Sequence, residues 1–322
     1  MQREPFTIAM IGECMIELQE RADGAISMTF GGDTFNTAAY MARLGEDMGA
    51  FVQYVSAVGD DPYSDAMVAF WEAQGVRHDY TLRRPGKRPG LYIIKLEASG
   101  ERHFYYWRGD AAVREAFECE GSDALLASLD RFSAIYVSGI SVAVLKPKSR
   151  ERLLARLGEL AAKGTAIHFD CNYRPLLWEN PETTKSLYEQ LFAIAATIVV
   201  TVEELEVVGT DVPGAPAYFA KYPNAEVVIK DGPKPCTLIV GGKISVVPAE
   251  IVEKVVDTTA AGDSFSAAYI LGRTLGIDPE DAARRAHKTA AAVVRHRGAI
   301  IPRNETPKIF STEETAALSA TV

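Results

Sequence analysis

The sequence predicts an α/β protein, a mostly parallel sheet wrapped by crossover helices with a small second sheet attached. Three observations support this. Short β-branched runs alternate with longer segments of helical period through most of the 322 residues, the pattern of parallel strands joined through helices. Two stretches, about residues 13–30 and 87–108, keep a strand pattern with no helix between runs. Composition, at 48% hydrophobic and 24% charged, is that of a soluble globular chain that can bury its own core.

In chain order, strands are expected at 6–11, 134–138, 166–170, 198–201 and 227–230, and helices at 36–44, 149–163, 183–195 and 279–296. The second irregular stretch, GLYIIKLEASGERHFYYWR, carries an expected turn at Ser99 and Gly100. With the first it reads as a small antiparallel appendage, either an edge hairpin or a lid that closes over a substrate and excludes water. The expected organisation is one domain over 1–310 with both stretches inserted, and a tail at 311–322.

The net charge of −9 argues against a broad grip on nucleic acid, so any anion site is local. Cys14, Cys119, Cys171 and Cys236 are far apart and lack metal-site spacing, as reduced thiols would. The opening MQREPFTIAMIGECMIEL has an apolar run broken by Glu13 and reads as a strand, not a signal sequence. No run approaches the roughly 20 apolar residues of a membrane span. A soluble, cytoplasmic protein is expected.

The most informative segment is VVDTTAAGDSFSAAYILG, residues 255–272. A β-branched run ends at Asp257, small residues follow, and a helical pattern begins near Asp263. The amides of Ala260, Ala261, Gly262 and Asp263 would then be unpaired at a helix N-terminus, a hole for a phosphoryl group. Asp263 stands at its rim, where a carboxylate of ordinary acidity is ionised at neutral pH and can accept a hydroxyl proton. By itself Asp263 reads equally as a helix cap. At the other end of the chain, FGGDTFNTAAYMARLG, residues 30–45, offers Gly31 and Gly32 for close approach of backbone to a ligand, Asp33 as an acceptor for hydroxyls, and Asn36 as a polar anchor opening a helix.

Both strings together resemble the two signatures of the ribokinase-like (PfkB) carbohydrate kinases, and the resemblance runs from Ile11 to about Arg303. It implies a three-layer α/β/α fold with a β-sheet lid, ATP as phosphoryl donor, magnesium, Asp263 as catalytic base and the residue 260–263 loop as anion hole. In TVEELEVVG, residues 201–209, Glu204 matches the family's metal-organising glutamate, while Thr201 stands where the family has asparagine. A solvated acidic helix start explains the same residues. Lys230 and Gly232 fall at the family's nucleotide-binding turn, and Asn172 joins Thr201 as a candidate nucleotide contact. A monovalent cation requirement stays open.

Tyr106 and Arg108 share one strand face by period two, with Trp107 opposite. Asn172 and Arg174 follow the strand at 166–170, where open α/β sheets bind ligands. Two arginines suggest a carboxylate on the sugar, since a guanidinium matches it bidentately; alternatively one serves ATP and the other is surface. IGECMIEL, FDCNYRPLLW and RGAIIPR, with the segments above, narrow the resemblance to family members acting on 2-keto-3-deoxygluconate. That implies substrate contacts at Gly32, Tyr92, Tyr106, Arg108 and Arg174. The competing readings are a neutral-sugar kinase of fructokinase or ribokinase type, and a catalytically silent sugar-binding regulator. A nicotinamide-dependent oxidoreductase lacks its glycine fingerprint here. Exposed edges of a sheet lid suggest a dimer or larger homo-oligomer.

Overall fold

The computed structural model describes residues 6–20, 24–96 and 102–312. The expected turn at Ser99 and Gly100, and all but two residues of the expected tail, lie outside them.

The main sheet has eight strands in the spatial order Lys243–Val247 (β14), Cys236–Val240 (β13), Glu226–Lys230 (β12), Thr197–Thr201 (β11), Ala166–Asp170 (β10), Ala134–Ser138 (β9), Thr7–Ile11 (β1) and Phe51–Val55 (β4). From β12 to β4 all neighbours are parallel, and β13 and β14 close one edge as an antiparallel hairpin. Side-chain alternation assigns each strand to two cores. Ile8, Met10 and Tyr136 face one, beneath the helices Asp33–Leu44, Pro62–Ala73, Ala261–Thr274 and Pro279–Val293. Ala9, Ile11, Ile135 and Val137 face the other, beneath Ser122–Ser128, Pro147–Ala162 and Pro181–Phe192. A sheet covered on both sides needs continuous apolar strands, which the central strands β1, β9 and β11 supply.

The expected strands are all present, those at 134–138 and 166–170 with the same ends. Two helices led by a proline begin two residues earlier than expected, at Pro147 and Pro181, whereas the one led by Pro279 begins as expected. Pro181 is the first residue of its helix, capped by Asn180 accepting from Thr183 N at 2.8 Å, so the expected start at 183 falls inside it. In contrast, 201–209 yields only a short helix, Leu205–Val208.

Four further strands, Ile26–Gly31 (β3), Met15–Glu20 (β2), Gly90–Leu96 (β7) and Arg102–Trp107 (β8), form a second sheet in that order, and Ala57–Val58 (β5) pairs with Leu82–Arg83 (β6). The second sheet is not wholly antiparallel as expected. Its outer pairs are antiparallel, but β2 and β7 run parallel in the middle, because both leave the main body outward and lie side by side. Met15 therefore stands beside Gly31 and Gly90, and Trp107 beside Leu91, so every junction with the main body falls at one end of this sheet.

In the main sheet, the chain leaves β1 toward β4 on one side and leaves β9 toward β10, β11 and β12 on the other. That reversal opens a crevice beyond the carboxyl ends of β1 and β9, the usual ligand position in such sheets. Among the described residues no helix is long and apolar enough to cross a membrane.

Candidate active site

The helix Ala261–Thr274 points its N-terminus into this crevice. Its approach loop is tied down by Asp257, whose Oδ1 accepts from Thr259 N (2.9 Å) and Thr259 Oγ1 (2.7 Å) and whose Oδ2 accepts from Gly298 N (2.8 Å). Ala260 holds a left-handed conformation, φ 59°, ahead of the helix. For a residue with a Cβ this costs about 1–2 kcal/mol. Of the four amides expected to be free, that of Ala261 donates to Thr258 O at 3.2 Å within the turn. The amides of Gly262 and Asp263 have no acceptor among the described residues. A Cβ on Gly262 would stand 3.3 Å from Lys230 Nζ, so the amides and the ammonium converge.

Asp263 is half-buried at this helix start, and its Oδ2 accepts from Asn36 Nδ2 at 2.8 Å. Its acidity differs from the ordinary value expected. Burial and the charges of Asp33 and Asp170 push the carboxyl up to about 7, against the opposing pull of Asn36 and Lys230. Asn36 itself is buried, and its Oδ1 has no hydrogen-bond partner among the described residues. Asp33 Oδ2 accepts from Asn172 Nδ2 at 2.8 Å, and burial raises the Asp33 carboxyl too. Asn172 sits at φ 33°, a conformation asparagine tolerates better than most. The glycine pair before Asp33 is demanded first by the chain itself. A Cβ on Gly32 would lie 2.2 Å from Glu13 O, and one on Gly31 2.8 Å from the Tyr92 hydroxyl.

Lys230 closes the other side. Its Nζ lies 3.3 Å from Asp170 Oδ2, which also accepts from Ser266 Oγ (2.8 Å) and the Tyr136 hydroxyl (3.2 Å). Gly232, two residues on, is an exposed turn residue at φ 52° and touches none of these groups. Glu204, the expected metal organiser, has both carboxylate oxygens engaged by backbone. Oε2 accepts from Thr201 N at 2.8 Å and Oε1 from Tyr173 N at 2.6 Å, while Thr201 Oγ1 accepts from Glu204 N at 3.3 Å. This reciprocal Thr-x-x-Glu arrangement is a capping box, and it also fixes the turn carrying Asn172 and Arg174. Among the described residues no cluster of three or more His, Cys, Asp or Glu side chains is arranged to hold a metal.

The second sheet brings Tyr92 and Tyr106 together, with ring centroids 5.7 Å apart at 34°, and the Tyr92 hydroxyl donates to Glu17 Oε2. Arg108 lies under the Tyr106 ring at 5.8 Å, and its Nη2 donates to Glu13 Oε2. Trp107 points the other way and is 58% exposed, as period two requires. Arg174 is exposed and donates to Tyr173 O at 2.9 Å. Burial raises the Tyr106 phenol, and the charges of Arg108 and Arg174 oppose that rise. Sequence reading did not single out Asp170 or Glu13. The signal for each was a carboxylate ending or following an otherwise apolar strand.

A family model described as pfkB family carbohydrate kinase matches residues 6–307. A 2-dehydro-3-deoxygluconokinase from Escherichia coli (strain K12) is 44% identical over 306 residues, covering 93% of this chain and 98% of that one. The crystal structure of a 2-dehydro-3-deoxygluconokinase from Thermotoga maritima superposes with a TM-score of 0.81 at 24% identity, covering 98% of this chain and 99% of that one. A fructokinase with bound ATP from Xylella fastidiosa gives 0.78 at 25% identity, covering 98% of both chains.

Proposed function

The chain belongs to the pfkB family of carbohydrate kinases, and from that premise we propose that it transfers the γ-phosphoryl group of ATP to the 6-hydroxyl of 2-keto-3-deoxygluconate. The observation that carries the reaction class is Asp263 beside the two free amides of its own helix and Lys230. The substrate is favoured by the 44% identical relative of that name, by Arg108 against the Tyr106 ring and by the charge of Arg174 acting on the same phenol.

In this reading Asp263 accepts the proton of the 6-hydroxyl as that oxygen bonds to phosphorus, and the phosphorus–oxygen bond to ADP breaks. The transition state is loose, so positioning and charge stabilisation dominate over early proton removal. The amides of Gly262 and Asp263 with Lys230 Nζ supply that stabilisation. Asn36 holds one oxygen of Asp263 and leaves the other for the hydroxyl. Magnesium, usually bound through few carboxylates plus phosphates and water, would be held through Asp170 beside Lys230, with Glu204, its oxygens on backbone amides, shaping the neighbouring turn, and would neutralise phosphate charge. Lys230 sits between those carboxylates and the amides, which suits a site shared with phosphates. The second sheet is read as a lid over the sugar. The face of this sheet that carries the exposed Ile26 and Met28 on one edge strand and Tyr105 and Trp107 on the other is read as the contact with a second copy, so a monomeric mass in solution would sink that part. The use of ATP as donor supports reading it as a cytoplasmic enzyme.

ADP release with MgATP and a panel of 2-keto-3-deoxygluconate, fructose, ribose and adenosine tests the assignment. The sugar acid should give the highest kcat/KM; preference for fructose or ribose would select the neutral-sugar kinase, and no stimulation by any acceptor the silent regulator. Arg174→Ala should raise KM for the sugar acid by roughly 10- to 150-fold, the loss of one charge-assisted contact worth about 1.5–3 kcal/mol. KM for MgATP should not move. Because Asp263 must be unprotonated and its pKa is pushed up to about 7, kcat/KM should fall tenfold per unit as pH drops below that value. A flat profile down to about pH 5 would mean an ordinary, low-pKa carboxylate or a different base.

A further inference from the structure

At the root of the four-stranded sheet a glutamate meets an arginine in a way the reaction described so far does not use. Glu13 follows β1 at the switch point, and Arg108 follows β8. Arg108 Nη2 donates to Glu13 Oε2, and the two side chains are only 11% and 2% exposed. A third segment closes on the pair, for a Cβ on Gly90 would stand 2.5 Å from Glu13 Oε1 and 3.2 Å from Arg108 Cβ. A side chain at the first position of β7 would therefore displace the Glu13 carboxylate.

Buried ion pairs persist without penalty only when their remaining polar atoms are also satisfied. Here Glu13 Oε1 and Arg108 Nε are both buried with no hydrogen-bond partner among the described residues. Polar atoms of this kind at the edge of a binding crevice are the ones a bound group can satisfy. Glu13 also feels the charge of Arg114, so Arg108 is not the only cation compensating it.

We infer, on the basis of the proposed substrate, that Glu13 is a positioning residue for its acid group, clamping the Arg108 guanidinium to the end of β1 so that its remaining donors face the sugar acid. A free arginine on a sheet edge loses much rotamer freedom when it binds a ligand, whereas one already held by a buried carboxylate loses little. Fixing Arg108 to β1 also sets its distance from Asp263, which belongs to the main body.

The test is the kinetics of the full chain as wild type, Glu13→Gln, Arg108→Gln and the double variant, with 2-keto-3-deoxygluconate and MgATP varied in turn. Glu13→Gln should raise KM for the sugar acid by about tenfold or more, with kcat within about threefold and KM for MgATP unchanged. The double variant should match Arg108→Gln alone, since without the guanidinium there is nothing to hold. An unchanged KM for the sugar acid, a parallel change in KM for MgATP, or effects that multiply in the double variant overturns the inference. Should Glu13→Gln not fold, the double variant decides by the same comparison with Arg108→Gln. Normal wild-type turnover beside an unaltered Glu13→Gln sinks the inference alone; wild-type protein releasing no ADP with the sugar acid sinks the proposed function and the inference together.

Discussion

Asp263→Asn should lower kcat by about 100- to 10,000-fold, the usual contribution of a positioned general base, with KM for the sugar acid changed little. Asparagine keeps the size and the hydrogen-bonding edge of the side chain but cannot take up the hydroxyl proton. The same variant should be more stable to urea at pH 8 than the wild type. Burial and two neighbouring aspartates raise the Asp263 pKa from its unfolded value to about 7. Between those values the folded state binds the extra proton, so the stability this group contributes is present at low pH and is lost as pH rises through about 7. Removing the charge removes that loss, at about 1.4 kcal/mol for each unit of displacement. A variant at once dead and no more stable would mean that Asp263 is ionised in the folded protein without strain.

Lys230→Met should be damaging in two separable ways. It leaves Asp170 buried with hydroxyl donors but no cation, and breaking such a pair costs about 3–5 kcal/mol. It also takes the ammonium away from Gly262, which should raise KM for MgATP. The pair Lys230→Met/Asp170→Asn separates the effects. Unfolding in urea should recover most of the lost stability in the double variant, because no unpaired charge remains, whereas KM for MgATP should stay high. If the double variant recovers both, Lys230 serves the fold and not the nucleotide.

Local chemistry was legible in the sequence wherever it was decided locally. The strands at 134–138 and 166–170 could be read to the residue because β-branched runs end there at polar or small residues. Asp263 could be placed at a helix start because small residues precede it and a helical period follows. What could not be read was set by partners far along the chain. The acidity of Asp263 depends on Asp33 and Asp170, and Arg108 meets a glutamate 95 positions away. Glu204 was ambiguous for another reason. Thr-x-x-Glu describes a capping box as well as a metal-organising turn, and only the positions of Tyr173 N and Thr201 N show that both its oxygens are engaged by amides. The helix at 181 was missed by two residues because periodicity sees apolar positions, not the proline and asparagine that start it.

The parallel pairing of β2 with β7 has a mechanical side. With Gly31, Met15, Gly90 and the end of β8 in one row, the second sheet is hung from the body like a door on four pins along a single edge. Bending at any one pin while the others hold would shear the hydrogen bonds between neighbouring strands, so the soft motion left to this sheet is a swing of the whole panel about that edge. Gly90 is one of those pins and Gly32 follows another, and a side chain at either would press on Glu13, at 2.5 Å from its Oε1 and 2.2 Å from its carbonyl oxygen, so a substitution at one would be felt along the whole shared edge.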